Sequence, residues 1–210
     1  MPENANVRTL AHTIERPSRQ RRRAPTDPTG KAPVRLQVSA ALAVGALVTV
    51  SVGLLARHMY TSPHAIPYFH LFFSSTIYMK AWIASAVLVL SFGQLVWAAG
   101  MYGLFRITPP TRFYQVVHRW SGRGAILLTL PVAFNCLFEL GITPMDRRIL
   151  IHSILGAFIY GVFVAKFLLI RIDRAPGWLL PIMGSALFAT ILGLWLTSAY
   201  WWFHLYGWRM

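Results

Sequence analysis

Histidines are the residues of this chain best suited to chemistry, and there are seven of them. His152 opens an apolar run and is followed by Gly156, one helical turn away on the same face. An imidazole supplies a nitrogen ligand, and a glycine beside it leaves room for a flat macrocycle to approach. The pair therefore reads as one side of a haem site. A haem held at both axial positions needs a second ligand at the same depth. The position facing His152 across the helical hairpin is Asn135, and asparagine is a poor haem ligand. His70 is the candidate partner, with His58 and His64 behind it. Lys80, about a turn inside the next apolar run, is placed to neutralise a haem propionate or to snorkel to the membrane surface. His58, His64 and His70 recur at six-residue intervals and form a candidate outer copper or zinc site, although that spacing is no recognised metal motif.

Other chemistries are excluded by what the chain lacks. Cys136 is the single cysteine, so neither an internal disulfide nor a CxxC site exists. There is no phosphate-binding glycine loop, no carboxylate pair and no triad, so no catalytic residue of a hydrolase or nucleotide enzyme is assigned. Five spans without a clean inverted repeat argue against a transporter. A net charge of +14 would suggest nucleic acid in a soluble protein. No basic face is interleaved with aromatics here, so no nucleic-acid partner is expected.

Positioning these residues falls to long apolar helices. Of 210 residues, 56% are hydrophobic and 12% charged, about half the charged share of a soluble domain. Residues 1–35 are basic and carry Pro17, Pro25, Pro28, Pro33 and the triplet Arg21-Arg22-Arg23. They cannot build a core and read as an extended tail rather than a cleaved signal, expected to dock on a partner subunit. Residues 36–205 read as an all-α integral membrane domain, a bundle of five transmembrane helices. The spans are expected at about 36–56, 78–105, 124–140, 149–170 and 178–202. Pro131 should kink the third and free a carbonyl near residue 127. Gln94, deep in the second, should bond between helices.

Small residues recur every four positions on three spans: Ala41-Gly45-Thr49-Gly53, Ser153-Ala157-Gly161-Ala165 and Ser185-Ala189-Gly193-Thr197. Such stripes allow close helix approach in lipid, and their succession predicts a close pairing of the fourth and fifth spans. Lys and Arg sort by side. Fourteen lie in the tail and the loops 105–123 and 171–177, against five at the opposite side. The tail is then cytoplasmic and the C-terminus outside. His152 and His70 fall at the outer side. His118 falls at the inner one, about 25 Å from His152 by helix rise, so the two cannot share a ligand.

At the hairpin the sequence resembles a family of small bacterial membrane proteins of unknown function. It is distantly similar to the cytochrome b561 and ferric-reductase transmembrane group. The matching pieces are Met79-Lys80-Ala81-Trp82, His118-Arg119 with Gly122, Pro131-Val132-Ala133 with Cys136-Leu137, His152-Ser153 with Gly156, Tyr160-Gly161 with Lys166, and Pro176-Gly177-Trp178. They span roughly residues 71–203. Relatives tend to carry histidine just before the cysteine, where this chain has Asn135. The resemblance implies a multi-pass protein of the bacterial cytoplasmic (inner) membrane.

The expected function is a membrane-embedded subunit of an electron-transfer system, similar to a b-type cytochrome. Haem b would sit near the outer face, held by His152 and His70 beside Gly156 and Lys80. Quinone and other membrane subunits are its expected partners. The alternative is a haem-free structural or assembly subunit of a larger respiratory or photosynthetic complex.

Overall fold

The computed structural model describes residues 32–61, 69–105, 111–140 and 146–208. The tail expected at 1–35 lies almost wholly outside them, as does His64. Helix α1 (Val34–Thr61) starts directly after Pro33, whose carbonyl accepts from the Gln37 amide. Helix α2 (Thr76–Met101) is capped by Ser75, whose hydroxyl oxygen accepts from the Tyr78 amide. Helix α3 (Thr111–Asn135) runs on into a π-helical turn, Cys136–Leu140. Helix α4 (Arg147–Leu169) is capped by Asp146, which accepts from the Arg148 amide at 2.7 Å. Helix α5 (Leu179–Trp195) passes through a second π turn, Leu196–Tyr200, into the short α6 (Trp201–Tyr206). Gly207, at φ +77°, ends it where a side chain would be strained.

Five of these rods are long and apolar enough to cross a bilayer, the third as Arg112–Phe138 and the fifth as Leu179–Tyr206. Their outward faces carry Leu, Val, Ile and Phe, which is the surface a lipid environment takes. The chain is a multi-pass membrane protein. Aromatics gather at one end of the bundle, where the Trp82 and Phe203 rings lie 5.4 Å apart and those of Phe203 and Trp208 4.2 Å. Tyr and Trp in such a band suit the membrane–water boundary.

Two expectations are corrected. The third helix begins at Thr111, not near residue 124, so His118 lies inside it nearly two turns from its start. The basic residues that read as loop instead coat the first turns of a helix, and Arg123 lies over the Trp120 ring at 5.0 Å. The small-residue stripe of α4 also meets a different partner. Its closest approach is to α1, not α5. A methyl group added at Gly45 would lie 2.6 Å from the Gly161 carbonyl oxygen and 2.7 Å from Ala165 Cβ. One added at Gly161 would overlap the Thr49 hydroxyl and the Gly45 carbonyl. In lipid, helices associate through van der Waals contact, so this backbone-to-backbone approach is where α1 and α4 adhere. α5 packs on another side of α4, where Gly193 leaves room for Leu155.

Gln94 does bridge helices. Its amide nitrogen donates to the His118 carbonyl (3.0 Å) and to the Ser121 hydroxyl (2.6 Å), joining α2 to α3. Gly100 makes room for the Tyr114 ring at the same seam.

Gly161→Val should separate α1 from α4 and cost about 1–3 kcal/mol, the range for overpacking a close contact. Gly53→Ala, where an added methyl meets nothing within 4 Å, should be neutral. Thermal unfolding of the detergent-solubilised variants checks the contrast.

Candidate functional site

The five rods do not close completely. Between them lies a cavity of about 510 Å³, within the size range of small-molecule sites. Every rod contributes to it: Ala56 from α1, Ile83 from α2, Val132 from α3, His152 from α4 and Trp195 from α5. The wall is mostly aliphatic and aromatic. It sits toward the end of the bundle where α4 begins and where both π turns occur. Such turns often mark functional sites because they break the i→i−4 ladder.

His152 is fixed by α5. Its Nδ1 lies 2.9 Å from the Thr197 hydroxyl oxygen. That hydroxyl is 2.7 Å from the Gly193 carbonyl, a group that only accepts, so the Thr197 proton goes there. Nδ1 must then be the donor to Thr197. The Leu194 carbonyl also lies against the ring, and in this tautomer Nε2 is the nitrogen left with a lone pair. Arg148, one turn earlier on α4, donates from Nη1 to the Thr197 carbonyl at 2.6 Å and lies over the Trp201 ring at 4.0 Å. The π turn leaves that carbonyl available. Thr197 thus ties down both residues that α4 presents at this end.

Gly156 also lines the cavity, and a methyl group added there meets nothing within 4 Å. His152 and Gly156, one turn apart, thus both line the same cavity. On the facing helix, Pro131 has no N–H to give Leu127, and the Thr129 hydroxyl donates to the neighbouring Ile126 carbonyl at 2.7 Å. Tyr160 donates to the Thr129 hydroxyl at 3.1 Å, tying α4 to α3 beside the kink. Asn135 is fully buried and does not line the cavity. Its amide donates to the Pro131 carbonyl at 2.9 Å, while Oδ1 has no partner.

Residues 38–210 match one family model. The chain belongs to DUF6529, a family of unknown function. No curated protein and no solved structure matches it.

In this DUF6529 chain His70, His58 and Lys80 do not line the cavity, although the Lys80 charge acts on His152. His70 is exposed, bonded through Nδ1 to the Phe73 carbonyl, and off the cavity wall. Lys80 lies in the first turn of α2 and is likewise not on the wall. His58 is on the last turn of α1 and exposed, and no group of three metal-ligating side chains occurs among the described residues. The haem expected from the sequence would lie between His152 and His70, and of these two His152 is on the wall. Among the described residues the wall offers one axial nitrogen, at His152; His64 lies outside those residues. Thr197 was missed as a site residue because it reads as one more small residue in a packing stripe. Its hydroxyl and the histidine it orients are 45 residues apart in sequence.

Thr197→Val should release the ring from its fixed tautomer while leaving the helices packed. In selectively ¹⁵N-labelled protein, His152 Nε2 should resonate as the unprotonated nitrogen. The variant should show averaging between the two nitrogens.

Proposed function

We propose that this chain is a membrane subunit of an electron-transfer system and that the cavity at His152 receives its redox-active ligand. The observation that supports this most is an imidazole oriented by Thr197 in a mostly apolar chamber lined by all five rods. Ionisable side chains inside membrane spans are costly to keep, and they commonly serve function. The charge distribution of the loops supports an outer-side position for the His152 end of the bundle, and the sequence resemblance suggests a bacterial inner membrane. Electrons would then be exchanged near the outer face.

The apolar wall suits a lipid-soluble carrier of the quinone class that slides in between helices. A haem bonded through His152 alone is the second reading, favoured by the open space at Gly156. Haem would supply one-electron chemistry. In either case His152 orients the ligand, Thr197 sets which nitrogen faces it, and the aliphatic wall excludes water.

Gly156→Leu should fill the chamber without disturbing packing, and should abolish ligand uptake with the fold retained. A reduced-minus-oxidised absorption spectrum of the protein purified with its membrane partners separates the readings. A Soret shift that His152→Ala removes selects haem. A featureless visible spectrum together with co-purified quinone selects the carrier. A featureless spectrum and no extracted redox molecule would leave the protein a structural subunit.

A further inference from the structure

The polar groups on the cavity wall have nearly all given their protons away. The Ser153 hydroxyl donates to the Ile149 carbonyl (3.0 Å) and the Ser198 hydroxyl to the Leu194 carbonyl (2.6 Å). Tyr160 donates to Thr129, and Thr129 to Ile126. The Trp195 indole N–H donates to the Ser85 hydroxyl at 2.9 Å, and Ser85 passes its own proton to the Ala81 carbonyl at 2.8 Å. His152 gives its Nδ1 proton to Thr197. Among the described residues, and apart from the Cys136 thiol, a weak donor, the side chains on this wall present lone pairs to anything inside: the hydroxyl oxygens and His152 Nε2.

We infer that the cavity selects a ligand that donates a hydrogen bond, an apolar molecule bearing a hydroxyl of the phenol or hydroquinone class, with its O–H on His152 Nε2. The inference rests on the cavity being a ligand site and narrows which chemical form it takes. A quinone carries only carbonyl acceptors. Against an acceptor-only wall it would meet lone pair with lone pair and gain nothing from the imidazole. Its hydroquinone, with the same ring and substituents, supplies the missing proton. The reduced form of a two-electron carrier is therefore held and the oxidised form let go. That asymmetry suits a site that takes reducing equivalents from the membrane pool.

Donor selectivity is tested without any redox chemistry by isothermal titration of the full-length protein in nanodiscs. The probes are 4-hexylphenol and its methyl ether, 4-hexylanisole, alike except for the O–H. The phenol should bind about tenfold tighter, the ratio one hydrogen bond in an apolar site supports. In His152→Phe the two affinities should converge. Should that variant not fold, Thr197→Val keeps the imidazole but frees its tautomer, and should narrow the ratio. Equal affinities in the unmodified protein, or a ratio unmoved by either substitution, would overturn the proposal. A matched hydroquinone and quinone pair with an added one-electron acceptor separates it from the electron-transfer reading. Hydroquinone preference without electron delivery retires that reading and leaves the selectivity standing. No preference retires the selectivity whatever the electron transfer.

Discussion

Inside a hydrocarbon layer a hydroxyl or amide hydrogen has no water to turn to, and this requirement governs how most polar side chains in the bundle are used, the buried Trp202 indole N–H being an exception. Ser85, Ser91, Ser153, Thr190 and Ser198 each return a proton to a carbonyl one turn back on their own helix. Thr129 does so beside Pro131, where the regular ladder is interrupted. Once those protons are committed, the remaining lone pairs are what the side chains can offer a neighbour. Gln94 reaching α3, Tyr160 reaching Thr129 and His152 reaching Thr197 all follow that logic. Polar satisfaction within each helix comes first, and contacts between helices are built from what is left over.

Packing obeys a separate constraint. With lipid as apolar as the side chains, close contact has to come from shape. The Gly45–Gly161 crossing brings two backbones together and fixes how α1 sits against α4. Bulkier residues elsewhere hold the rods apart, and the space they leave near His152 is the cavity. Tight contact on one side of α4 and open space at Gly156 on the other are two results of placing glycine on different faces of one helix.

The spans were legible because about twenty apolar residues in a row have few other uses in a protein. The start of α3 was not. Arg112, His118, Arg119 and Arg123 lower the local hydropathy as a loop would, yet on a helix face near a boundary they cost little. The stripe on α4 was legible as a surface that another helix approaches, but four-residue spacing carries no label for the partner, and α1 took the place expected of α5. His152 and Gly156 could be paired because they lie one turn apart. Thr197 could not, since its meeting with His152 depends on how α4 and α5 cross. The chamber itself has no local signature at all, because it exists only where five separate segments fail to fill the space between them.

The second π turn has a consequence for how the last rod is read. A π turn holds one residue more than the α turn it replaces, so everything beyond it is rotated by about 100° around the axis. Leu179–Trp195 and Trp201–Tyr206 therefore follow two different phases along one continuous rod. The lower phase orders residues by the helices they must fit. The upper one turns Phe203 inward against Ala81 and leaves Trp201 and Tyr206 facing outward. A single uninterrupted helix would have had to compromise between the two patterns, and the extra residue lets each be met in full.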